Sequence, residues 1–128
     1  MGRVYMSSKL YTLDGHIAVV CHDIHEWGKW FGTADRHVAD IDILGIRVST
    51  VFLGLDHNHW GDGDPLLFET MVFDHEGDCA AMTRYFTWEE AAQGHAEVVE
   101  GVQAEADKCA TMAADEIRDY LLEHKVKP

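Results

Sequence analysis

The sequence predicts one α+β domain, an antiparallel three- to four-stranded β-meander packed by a short N-terminal helix and a long C-terminal helix. Three observations predict it. Acids and aliphatics alternate through Val38-Ala39-Asp40-Ile41-Asp42-Ile43, the two-residue period of a half-buried strand. Thr87-Trp88-Glu89-Glu90 is a capping box, in which the threonine and the third residue after it satisfy each other's free backbone N–H groups. From Ala91, apolar residues then recur at helical spacing for more than thirty residues.

Taken in chain order, residues 1–22 are weakly patterned, with His16 to Cys21 as a short strand. Asp23 stands three before Glu26 and marks a helix start, and Ile24, Trp27, Trp30 and Phe31 follow on one face, with Gly32 as the stop. After the alternating strand, Leu44-Gly45 reads as a two-residue turn. Arg47 to Leu53, rich in β-branched residues, pairs back. Leu66 to Phe73 is a third strand, and Met82 to Phe86, beyond the polar loop DHEGD, a fourth. In the last third, Ala91, His95, Val98, Val99, Val102, Ala106, Cys109, Ala113, Ile117 and Leu121 form one stripe. Unbroken to His124, that helix measures about 55 Å. It must therefore bend near Lys108 to Thr111 or pack its far end on another copy of the chain. Residues 1–128 read as a single domain, with 108–128 a candidate helical extension.

The chain has 128 residues, 47% of them hydrophobic and 26% charged, as soluble globular proteins do. No apolar run approaches the ~20 residues that cross a bilayer, and MGRVYMSSKLYTLDG lacks the core of a secretory signal. Cys21, Cys79 and Cys109 are odd in number and show no C-x-x-C pairing, which favours a reduced, cytoplasmic setting. Ten Lys and Arg against 23 Asp and Glu leave a net charge of −13. Direct binding to nucleic-acid phosphates is disfavoured by that balance, whereas basic protein surfaces and cations are attracted by it.

The segments RVSTVFLGLDHN (47–58), PLLFETMVF (65–73) and RYFTWEEAAQGH (84–95), with Glu26-Trp27 upstream, resemble a family of small uncharacterised proteins encoded by bacteriophages and prophages. The resemblance covers roughly Asp23 to Val99. This chain departs from it in Asp64, where a second proline is common, in an extra His59 and in its long C-terminal helix. The resemblance implies a phage accessory role in a bacterial host's cytoplasm, without a particular reaction.

Three places carry ligand-type residues. In LDHNHWGDGDP, Asp56, Asn58, Gly61, Asp62 and Asp64 match most of a calcium-loop frame, but Trp60 and Leu67 stand at two ligand positions and the flanks read as strands. Gly61, Gly63 and Pro65 equally suit a hairpin connection. A second set joins His57 and His59 to Glu69, mid-strand among apolar residues, and His95, on the helix stripe. These could hold zinc or manganese, with Asp56, His57, Glu69 and His95 serving a hydrolase through metal-bound water. The alternative is an ion pair of Glu69 with Arg47 or Arg84 and a hydrogen-bonded core histidine at His95. Cys21-His22-Asp23-Ile24-His25 has no second half of a zinc motif, and nucleophile, P-loop and dinucleotide signatures are absent.

The leading expectation is therefore a non-enzymatic binder or inhibitor of a basic host protein, such as a nuclease or DNA-binding protein. It would act through Glu97, Glu100, Glu105, Asp115, Glu116 and Asp119 of the acidic helix, without a cofactor. The other readings are the metal-dependent hydrolase, with Zn, Mn or Ca, and a structural phage component. Ile117, Tyr120, Leu121 and Leu122 offer an apolar patch for a homodimer.

Overall fold

The computed structural model describes residues 9–58 and 63–124, and its architecture is α+β. A hairpin of β1 (Tyr11–Asp14) and β2 (Ile17–Val20) precedes α1 (Ile24–Thr33). Then β3 (His37–Ile43), β4 (Ile46–Phe52), β5 (Phe68–Phe73) and β6 (Cys79–Tyr85) form one antiparallel sheet in sequential order, and α2 (Trp88–His124) closes the chain. The expected meander and both helices are present. The first hairpin is an addition: β1 stands where no strand was expected, and Gly15, at φ 63°, turns it into β2.

Helix α1 starts as its sequence dictates, with the Asp23 carboxylate accepting from the N–H groups of His25 and Glu26. Two details differ from expectation. Gly32 does not stop the helix, which runs to Thr33 and is capped when the Ala34 N–H donates to the Trp30 carbonyl. Ile24 also stays 64% exposed, because the side of α1 that packs on the body of the protein carries Trp27, Trp30 and Phe31. The Trp27 indole N–H is shared between the carbonyls of Tyr11 and Gly54, which ties α1 to the first hairpin and to the exit of β4.

Within the sheet, direct pairs share a face. Thr50 lies opposite both Ala39 and Thr70, so Val48, Thr50, Phe52, Phe68 and Thr70 point towards α2. Arg47, Ser49, Glu69 and Arg84 point the other way. The core is Phe52, Leu67, Phe68 and Ala91, closed by Tyr11, Leu13, Trp30, Val38, Tyr85 and Trp88. It therefore sits at one end of the sheet, beneath the first hairpin, α1 and the start of α2. At the opposite end the β3–β4 turn places Leu44 at φ 51° and Gly45 at φ 91°. The His75 side chain donates to the Leu44 carbonyl at 2.9 Å and lies where a Cβ on Gly45 would stand.

The capping box forms as read: the Glu90 N–H donates to the Thr87 hydroxyl, and the Glu90 carboxylate accepts from the N–H groups of Phe86 and Thr87. Helix α2 then continues without interruption for 37 residues. Ala91, Gly94 and His95 are buried, Val98, Val99, Val102 and Ala106 are half-buried, and from Asp107 onward every described side chain is exposed. The helix thus outruns the sheet.

Gly94 makes the close approach possible, since a Cβ there would collide with the Tyr85 ring. Gly101, two turns on, has open space at that position. The two glycines should respond to alanine with opposite signs in chemical denaturation. Gly94→Ala should lose about 1–3 kcal/mol by overpacking, whereas Gly101→Ala should gain up to about 1 kcal/mol from helix propensity.

Candidate functional site

The acidic loop is held by its own backbone. The Asp56 carboxylate accepts from the Asn58 N–H at 2.8 Å and from the Leu66 N–H at 3.0 Å, bridging the two ends of the loop. The Asn58 amide donates to the Asp64 carbonyl, the His57 N–H to the Leu66 carbonyl, and the His57 Nδ1–H to the Leu55 carbonyl at 2.8 Å. Gly63, at φ 94°, supplies the left-handed turn. His59, Trp60, Gly61 and Asp62 lie outside the described residues. In this geometry Asp56 closes a loop: one of its oxygens is committed to two amide protons.

Glu69 and His95 do not meet. Glu69, 7% exposed, projects from β5 on the face away from α2, where its carboxylate accepts from Arg84 Nε at 3.0 Å. His95 lies under α2 on the other face, with Nδ1 2.7 Å from the Thr50 hydroxyl. The sheet separates them, because residues 69 and 70 of one strand must point to opposite sides and Thr70 is the one that bonds Thr50. Of the two partners considered for Glu69, Arg84 is the one found. Arg47 instead binds Asp40 through two contacts, at 3.0 and 2.7 Å, which hold the Asp40 carboxyl below the usual carboxylate range. The grouping of Asp56, His57, Glu69 and His95 expected for a hydrolase is thus not assembled. Among the described residues no three His, Cys, Asp or Glu side chains are placed to hold a metal ion.

His95 is the hydrogen-bonded core histidine of the alternative reading, and its partners, which the sequence did not indicate, form a Thr70–Thr50–His95 cluster sealed between the sheet and α2. A hydroxyl beside an imidazole has the composition of a nucleophile and its base. Thr50 and Thr70 are nonetheless fully enclosed, at 0% and 1% exposure, so no substrate reaches them. The cluster's work is to fix where α2 sits. Burial pushes the His95 pKa down, and the Asp40 carboxylate partly opposes that shift.

The candidate partner-binding residues are differently placed. Glu97, Glu100, Glu105, Asp115, Glu116 and Asp119 are all exposed along α2, with Gln93 bonding Glu97 and Arg118 bonding Asp115. No described helix is long and apolar enough to cross a membrane. Compared with protein-family models, with curated proteins and with solved structures, the chain matches none.

Two tests follow from this geometry. Because His95 has a lower pKa folded than unfolded, its contribution to stability is intact above the unfolded value of about 6.5 and is lost as pH falls towards the folded value. Urea midpoints should decline from pH 7.5 to pH 5.5, and His95→Gln should flatten that slope. Arg84→Ala, which strands a buried carboxylate, should cost about 1–3 kcal/mol, and Glu69→Gln in the same chain should restore part of it.

Proposed function

We propose that this chain is a non-enzymatic protein-binding module that engages a basic partner through the exposed acidic side of α2. The observation that carries the reading is negative charge concentrated along one helix. From Thr87 to His124 the chain has ten acids, Glu89, Glu90, Glu97, Glu100, Glu105, Asp107, Asp115, Glu116, Asp119 and Glu123, against Lys108 and Arg118. All twelve side chains are exposed.

A rod of like charge about 55 Å long offers a field rather than a pocket. Such a field steers an oppositely charged protein surface and selects against acidic ones. A nuclease or DNA-binding protein presents a basic cleft built for phosphates, and a negative helix competes for it by the same electrostatics. The resemblance of residues 23–99 to small phage and prophage proteins supports a setting in a bacterial host's cytoplasm, as an accessory or anti-defence factor.

Affinity capture from bacterial lysate at low salt tests this reading. The wild-type chain should retain a basic protein whose recovery falls about ten-fold or more as salt shortens the Debye length from roughly 30 Å to below 10 Å. A chain with Glu97, Glu100, Glu105, Glu116 changed to Gln and Asp115, Asp119 to Asn should retain none. Failure to recover any reproducible basic protein, or equal recovery by the neutralised chain, contradicts the proposal.

A further inference from the structure

We propose that the groove between α2 and the tip of the sheet is the seat of a basic amphipathic helix of the partner protein, laid beside α2 over β5 and β6. This site rests on the reading of α2 as an acidic binding surface and gives that surface a definite place of contact. The room for it comes from widths. A helix with its side chains is about 10 Å across and strands lie about 4.8 Å apart, so one helix covers roughly two strands of the four. In β4, Val48 and Thr50 are fully buried beneath α2. In β6, Ala81 and Thr83 point to the same side of the sheet, opposite Val72 and Thr70, and are exposed. Towards the tip, a strip about one helix wide is therefore left open beside α2.

That strip is apolar. The groove encloses about 810 Å³ between Ile43, Leu44, Val72 and Ala81 of the sheet and Val98 and Val102 of α2. Volumes of roughly 300–1,000 Å³ are those of ligand sites. Among the described residues that line it, only His75, Glu105 and Cys109 carry polar groups, and His75 is engaged with the Leu44 carbonyl. Gly101 is a second sign. It stands in the groove wall, and nothing lies within 4 Å of where its Cβ would be. Glycine inside a helix costs about 1 kcal/mol relative to alanine. At Gly94 the Tyr85 ring needs the space, but at Gly101 nothing in the described chain does. A helix lying in the groove brings its own backbone close at that point, an approach that glycine permits.

Charge selects the occupant. Helix α2 turns about 100° per residue, so the side that Val98, Glu105 and Cys109 give to the groove continues through Glu116, Asp119 and Glu123, with Glu97 at its outer edge. Of the two bases in α2, Lys108 falls on that side and Arg118 on the opposite one. At the other wall Glu76 and Asp78 adjoin His75 in the β5–β6 turn and are exposed. No Lys or Arg lines the groove. An apolar floor between acidic margins fits a helix with apolar anchors three and four residues apart and lysines or arginines flanking them. The same margins select against an acidic helix. They also disfavour a second copy of this chain, which at a net charge of −13 brings acids against acids.

Fluorescence anisotropy with the full chain and labelled synthetic peptides tests this at low salt. The probe is a leucine–lysine helix of about five turns with every leucine on one face. One control replaces its leucines by serine, and another replaces its lysines by glutamate. The wild-type chain should bind the leucine–lysine peptide at least ten-fold more tightly than the serine–lysine peptide, and the leucine–glutamate peptide not at all. Ala81→Gln and Gly101→Gln, singly and together, leave the net charge unchanged and put polar side chains into the groove. The pair should abolish the ten-fold advantage, while the near-ultraviolet spectrum and the binding of the serine–lysine peptide stay as in the wild type. No advantage for the leucine–lysine peptide, or one that survives both glutamines, overturns the groove as the seat and leaves the acidic-surface reading standing. Equal binding of the leucine–glutamate peptide overturns the choice of a basic occupant. A peptide-free chain with twice the mass of 14.4 kDa, returned to 14.4 kDa by the two glutamines, gives the groove to a second copy and overturns the proposal as well. Failure of the acidic-surface reading looks different, because neither lysine peptide would then bind.

Discussion

The placement of α2 depends on a chain of hydrogen bonds through the middle of the protein, from Thr70 to Thr50 to His95. Polar groups enclosed between a sheet and a helix are costly unless each finds a partner. Here the hydroxyls of two neighbouring strands and one imidazole satisfy one another, and sliding the helix by a residue would leave at least one of them bare. Phe52 and Phe68 supply the hydrophobic driving force on the same face, but apolar contact is non-directional. The histidine contact is what gives the helix a register. Gly94, against the Tyr85 ring, fixes how closely it lies.

Once that register is set, the rest of the molecule's surface follows from length. The sheet offers α2 a bed that ends near Ala106, and a helix of 37 residues anchored at Trp88 must pass beyond it. The core collects where the first hairpin, α1 and the start of α2 converge, around Phe52, Leu67 and Phe68. The other end of the sheet, at Leu44 and His75, is left as a groove wall. That end of the molecule carries exposed apolar side chains of α2 and an adjoining groove, and the face of α2 turned away from the sheet is strongly acidic.

Elements with strong local signals were legible in the sequence. The alternation through Val38 to Ile43, the Leu44-Gly45 turn and the Thr87 capping box all reappear, because each is decided by neighbours within a few residues. The first hairpin was only half legible, although Asp14-Gly15 between apolar residues is a recognised turn signal. Assembly of the site was not legible. Glu69 and His95 looked like partners because both are ligand-type residues in apolar surroundings, but whether they share a face depends on strand pairing and helix placement. The parity of β4 held the missing clue. Thr50 alternates with Val48 and Phe52, so it had to point inward, and an inward hydroxyl needs a buried partner such as His95. The loop from Leu55 to Pro65 gave an ambiguous signal for a physical reason: aspartate and asparagine that tie a turn to its own amides have the same composition as those that bind a cation.

Helix α2 is one helix in two physical states, its first half clamped to the sheet through His95 and its second half exposed beyond the sheet. Hydrogen exchange of the α2 amides, followed residue by residue at the lowest workable protein concentration, measures this directly. Slow exchange from Ala91 to about Ala106, and exchange faster by orders of magnitude from Asp107 onward, is the expected profile, with a loss of protection in the first half alone on Thr50→Val. Uniform protection along the whole helix at high dilution, or a first half no slower than the second, would contradict it.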